Sequence, residues 1–197
     1  MKVLKMIQYN APVVLTFALV SLVVTVAGML TANAATELLF CVYRSPIADP
    51  LTWVRLFTHV LGHAGLSHYV SNMMLFLLLG PIIEEKYGSL KLLGMIAVTA
   101  LVTALVHLLL FPGSALLGAS GIVFMLIVLS SMVRLEEGKL PLTMLLVVGI
   151  YLGQEVFSAL TVHDNVSQLT HILGGVCGFC FGWLLNQTTT GPGPYSD

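Results

Sequence analysis

The chain has 197 residues, of which 57% are hydrophobic and only 9% charged, against about 25% charged residues in an ordinary soluble domain. So few charges cannot cover a soluble protein of this size, and a mean hydropathy of +0.98 agrees, so composition points to a membrane protein of several spans. A net charge of −1 without any block of like charges gives no reason to expect a nucleic acid partner.

A bilayer core takes about 20 apolar residues in helical form, and six stretches qualify, some loosely. The first is 11–30. Lys2, Lys5, this run and Ala32-Asn33-Ala34 together resemble a cleavable signal peptide. Signal cores are about 7–15 residues long, however, and this run is about 20, so a retained helix is expected. Residues 31–67 follow, with Pro46, Pro50, Trp53, Arg55 and His59. That segment is too long for a hairpin and too apolar for a disordered linker, which predicts a folded loop partly embedded in the membrane. The remaining spans are 68–83, 90–111, 120–133, 140–160 and 169–185. The fourth is short for a full crossing, so its first residue is expected below the membrane surface. The fold class is therefore an all-α membrane protein, a six-helix bundle in one domain over residues 1–186, with a flexible tail over 187–197. Cys177 and Cys180, one helical turn apart in an apolar run, read as buried and unpaired, and Cys41 stands alone.

Lys2, Lys5, Lys86, Lys91, Arg134 and Lys139 all fall on one side of a six-span arrangement, and only Arg44 and Arg55 on the other. That asymmetry places both termini in the cytoplasm and the 31–67 loop outside.

Polar residues inside spans are costly and therefore informative. They are His68, Asn72, His107, Ser120, Gln154, Glu155 and His171, with Glu84 and Glu85 at the inner end of the second span. Ser120 opens the fourth span in Gly118-Ala119-Ser120-Gly121. A lone serine there is usually a helix cap. The flanking glycines allow a tight turn and close backbone approach, and a helix start offers free N–H groups, which together are the parts of a nucleophile with its own oxyanion site. His171 lies near the start of the sixth span, one turn outward of Gly174, Gly178 and Gly182. Glycines at that spacing let membrane helices approach closely. A histidine satisfied inside a bundle is the plain alternative, but the fourth and sixth spans run in the same direction, so Ser120 and His171 share one depth. His68 and Asn72, four apart on one helix face, can both donate hydrogen bonds and lie at a similar depth.

Arg55-Leu56-Phe57-Thr58-His59, then His63, His68 and Asn72, resembles the first loop and second helix of the rhomboid proteases. Glu84 followed by Gly88 resembles the close of that helix, Gly118-Ala119-Ser120-Gly121 is similar to the family's G-x-S-G, and His171 with its glycine stripe resembles the final helix. The likeness covers roughly residues 51–185. It implies a bacterial-type, six-span intramembrane serine endopeptidase of the plasma membrane, with a Ser–His dyad and no aspartate. Ser120 would attack, and His171 would act as base and then acid. The Ser120 N–H, His68 and Asn72 would hold the oxyanion, beside Gly118. Arg55, His59, His63 and Glu84 would hold loop and helix ends. The implied partners are transmembrane protein substrates and the lipid bilayer. No cofactor or metal is implied, and oligomeric state stays open. Two departures stand out: the family's Trp-Arg pair is split here as Trp53-Val54-Arg55, and Phe124 replaces a tyrosine that stacks on the histidine.

Three other readings differ in what they require of the sequence. His59 and His63 are four apart, as zinc ligands on a helix can be, but no H-E-x-x-H motif exists. A catalytically inactive relative that binds transmembrane segments would lack the serine or the histidine. A transporter would carry charged or broken helices at midplane.

Overall fold

The computed structural model describes residues 9–133 and 165–187, with residues 142–143, 145–146, 149–150 and 153 between them. Most of the expected fifth span, Gln154, Glu155, Arg134, Lys139 and the tail beyond residue 187 lie outside the described residues. The named helices are α1 Pro12–Leu30, α2 Ala34–Leu39, α3 Pro50–Thr58, α4 Leu66–Tyr87, α5 Ser89–Leu110, α6 Ser120–Ser131 and α7 Asn165–Gln187. Among the described residues four helices are long and apolar enough to cross a membrane: α1, α4, α5 and the Gln168–Leu185 part of α7.

α6 is the exception, with 12 residues. At about 1.5 Å per residue it is about 18 Å long, well short of a hydrocarbon core of about 30 Å. None of its residues is exposed, and Ile122, Met125, Leu126 and Leu129 are fully buried. A helix apolar all round belongs at the centre of a bundle, and α6 packs against α4, α5 and α7.

One end of the bundle is set by two charged side chains of α4. The buried Glu84 carboxylate accepts the N–H groups of Val13 and Val14, both at 3.0 Å, and the Ser89 hydroxyl at 2.7 Å. It thereby satisfies free donors at the start of α1, where helix polarity also favours an anion. The Lys86 ammonium donates to the Val133 carbonyl just past α6. The start of α1 and the ends of α4 and α6 therefore lie at one level, with Ser120 about 18 Å above it. Gly88, in the left-handed region at φ +85°, both ends α4 and starts α5, which is the conformation glycine tolerates.

The loop after α1 is folded, as expected, around a buried arginine. Asp49 caps α3 by accepting Leu51 N–H at 3.0 Å, with Pro50 at the first helical position. Arg55, 3% exposed, donates from Nε to the Leu38 carbonyl at 2.8 Å, pairs with Asp49 at 3.6 Å and lies over the Tyr43 ring. Trp53 points the other way, exposed, with its indole N–H donating to the Ile47 carbonyl. The split of tryptophan from arginine thus puts the cation inside and leaves Ile47, Trp53, Val54 and Phe57 as an exposed apolar edge suited to lipid.

Cys180 corrects an expectation. Cys177 is buried, but Cys180 is exposed. At 100° per residue Cys180 stands about 200° round the helix from Gly178, so the glycine face that packs on α6 turns it outward.

Candidate active site

The site begins with the seam between α6 and α7. A Cβ on Gly174 would stand 2.0 Å from the Gly121 carbonyl oxygen, and one on Gly178 would stand 2.3 Å from that of Met125. Gly182 faces the Met132 side chain in the same way. Numbers rise together along both helices, so α6 and α7 run parallel with backbone touching backbone. Any larger residue at 174 or 178 forces them apart. Both helix starts therefore lie at one end of the seam, with Ser120 as the first residue of α6 and His171 one turn outward of Gly174.

Helical side chains lean back toward their own N-terminus. Phe124 accordingly reaches back over the first turn of α6 and stacks flat on His171, with centroids 4.2 Å apart and rings 1° from parallel. Having no hydroxyl, it holds the imidazole by ring contact. Thr170, buried beside His171, packs its methyl on Gly121.

The approach to Ser120 is tied from the first loop. Val42 and Leu116 exchange both backbone hydrogen bonds at 2.9 Å. Gly118 N–H donates to the His59 carbonyl at 3.0 Å. His59 is itself buried, held through Nδ1 by the Arg55 carbonyl at 3.2 Å, with Nε2 3.5 Å from the Thr103 hydroxyl. Nothing in the residue types signals the Val42–Leu116 exchange, because side chains take no part in it.

His68 stands against this loop. Gly118 has φ +119°, and a Cβ there would meet Cε1 and Nε2 of His68 at 2.9 and 3.0 Å; a glycine is required on both counts. Ala64 N–H donates to His68 Nδ1 at 3.3 Å, so in the neutral ring the proton sits on Nε2, the nitrogen that faces Gly118. His63 presses edge-on against His68 and Tyr69, with centroids at 5.1 and 5.6 Å. The Tyr69 hydroxyl donates to the Ala18 carbonyl of α1 at 3.0 Å. Asn72 lies on the His68 face and is buried, but its amide donates to the His68 carbonyl at 3.1 Å, which commits part of its donor capacity within α4.

Burial pushes His59 and His63 down to about 4, with the charge of His68 adding to the shift at His63. Both are therefore neutral at pH 7 and serve as supports. Among the described residues no cluster of three or more metal-ligating side chains occurs. Asp164 and Glu155 lie outside the described residues.

A family model described as the rhomboid domain matches residues 50–188. Among curated proteins the chain is similar to the rhomboid protease GlpG of Haemophilus influenzae, 31% identical over 144 residues that cover 69% of this chain and 71% of that protein. It is similar to the putative rhomboid protease YdcA of Bacillus subtilis at 25% over 146 residues, 68% of each chain. It is also similar to the chloroplastic Rhomboid-like protein 11 of Arabidopsis thaliana at 26% over 149 residues, 68% of this chain. The match spans about half of that plant protein, 53%, and 39% of Rhomboid-related protein 1 of Caenorhabditis elegans.

Proposed function

Since this chain belongs to the rhomboid family, we propose that it is an intramembrane serine endopeptidase that cleaves transmembrane segments of other membrane proteins near the outer face. The observation that carries this reading is the glycine seam, which sets the start of α6 level with His171 and leaves Phe124 stacked on that imidazole.

In this mechanism Ser120 Oγ attacks the scissile carbonyl while His171 takes its proton. His171 then gives the proton to the leaving amine, and water cleaves the acyl-enzyme by the same steps in reverse roles. A Ser–His dyad suffices. The oxyanion lies between the Ser120 N–H at the start of α6 and the Nε2–H of His68, with Asn72 as a weaker donor. Peptide hydrolysis consumes water, which a bilayer core lacks. A nucleophile about 18 Å from the inner end of a core about 30 Å thick sits below the outer surface, in reach of water from that side. The reading includes a fifth span over 140–160, completing six, with both termini in the cytoplasm, one domain over 1–186 and a tail over 187–197.

Ser120→Ala should abolish cleavage of a model transmembrane substrate in a protein that still folds, and His171→Ala should nearly do so. The double variant should be little worse than either single one, because the two groups act as a unit. A fluorophosphonate probe should label Ser120. Full activity in Ser120→Ala, or a label on another residue, refutes the assignment.

A further inference from the structure

His107 is a buried polar residue in a membrane helix that the dyad does not use. It lies on the last turn of α5, 2% exposed, with its ring stacked on Phe111 at 5.9 Å. Its Nε2 lies 3.2 Å from the carbonyl of Ser114. A carbonyl can only accept, so Nε2 carries the proton and donates it. Its Nδ1 is buried and has no hydrogen-bond partner among the described residues, so this bond is what satisfies a costly polar ring.

The position of the accepting carbonyl gives the bond its meaning. Residues 114–118 lead from the turn after α5 toward Ser120; Ser114 bonds within that turn, its N–H and its hydroxyl both donating to the Phe111 carbonyl at 3.2 Å, and beyond the turn the segment has three ties. Ser114 is held by His107, Leu116 by Val42 in both directions, and Gly118 by the carbonyl of His59. The ties fall at alternate residues, 114, 116 and 118, of a segment that bends at Ser114 and enters the left-handed region at Gly118. Only the tie at 114 comes from a side chain; the others are backbone to backbone. At its far end the same segment sets Gly118 against His68.

We infer that His107 is a positioning residue, whose Nε2–H···O=C bond to Ser114 helps hold the 114–118 segment in place and so helps fix where Gly118 and Ser120 stand relative to His68. It touches no reacting atom. This rests on the reading of Ser120 as nucleophile.

The test compares His107→Leu, His107→Asn and His107→Gln in the full chain, with wild type and Ser120→Ala beside them. A glutamine amide reaches about as far as Nε2 and can donate to Ser114, whereas an asparagine amide stops near the Nδ1 position. Misplacement by about 1 Å can cost up to about a hundredfold in rate; for one of three ties we expect about a tenfold loss of kcat in Leu and Asn, with KM unchanged. Gln should recover to within about twofold of wild type. Hydrogen exchange over 112–119 should be faster in Asn than in Gln or wild type. Full kcat in folded Leu and Asn proteins overturns the inference, and so does a Gln protein no better than Asn, which would mean that the ring only fills space. If the Leu protein does not fold, the Asn–Gln pair decides alone. If wild type cleaves nothing or Ser120→Ala still cleaves, the proposed function fails instead, and the exchange rates still report whether His107 holds the segment.

Discussion

Two constructions meet at Ser120, and they are made of opposite materials. The α6–α7 seam has almost no side chains in it: glycine Cα atoms lie against the carbonyls of Gly121 and Met125. The first loop and the start of α4 instead hold the site by polar groups, from His59, His63, His68, Asn72 and Arg55. The seam sets the Ser120–His171 relation and has no slack, since backbone cannot move aside. The polar side sets what surrounds the start of α6, and each tie there can loosen by a fraction of an ångström. In a bilayer, where apolar contact with a helix is no better than contact with lipid, close approach and hydrogen bonds are the available sources of specificity; this protein uses one on each flank of its serine.

The sharpest way to break the comparison is to thicken the seam. Gly178→Val, or Gly174→Val, should lower activity about a hundredfold or more and also lower the melting temperature. Gly175→Ala is the control, because its new Cβ would meet Val128 at an ordinary 3.6 Å and should leave activity unchanged. A stable, fully active Gly178→Val protein would show that the seam does not set the dyad.

On the polar flank the effects should be graded. His68→Ala should cost about 10²-fold in kcat, as loss of one oxyanion donor does, with KM little changed because the charge exists only in the transition state. Asn72→Ala should cost less, since its amide already serves the His68 carbonyl. Measuring kcat beside thermal stability separates chemistry from support, and an unchanged kcat in folded His68→Ala would remove His68 from the site.

At the opposite end of the bundle Glu84→Gln should cost about 1 kcal/mol of stability, the usual scale for a helix-start interaction. That corresponds to a fall of about 2–4 °C in melting temperature for a chain of this size, with kcat per folded molecule unaltered. A loss of kcat without loss of stability would show that this end communicates with Ser120.

Through His59 and His63, acid should act on stability alone. His59 and His63 bind protons near pH 6.5 when unfolded but only near pH 4 when folded. Between those values the unfolded chain holds more protons, so stability is fully present above about pH 6.5 and falls as pH drops toward about 4. The melting temperature should follow that slope, and His63→Gln should flatten it. An identical slope in His63→Gln would mean that other groups carry the linkage.

What could be read in advance was what side chains announce. The glycines at 174, 178 and 182, the serine between glycines and the histidine one turn outward are local patterns with a physical reason, and the glycines pack on α6 as their spacing suggests. Among the described helices, limits came within a few residues; the fourth stretch, read as 120–133, stops at Ser131. The loop between α1 and α4 was legible as folded, but not its two short helices, because α2 and α3 owe their placement to Arg55 bonding a carbonyl 17 residues away. Glu84 was recognisable as a holder of helix ends, while its partner at the start of α1, about 70 residues earlier, was not. The Val42–Leu116 exchange was invisible, as was the outward turn of Cys180, which depends on where the glycine face points.

The Val42–Leu116 exchange also bears on how such a site can age. It uses only main-chain N–H and C=O groups, so either side chain can drift among apolar residues of similar size and leave it intact; proline, which has no N–H to give, is the substitution it excludes. Relatives of this chain share as little as 25 to 31% identity with it. At that distance a restraint written in backbone atoms leaves no column of invariant residues behind, and a lineage can keep its geometry long after the letters that once spelled it have changed.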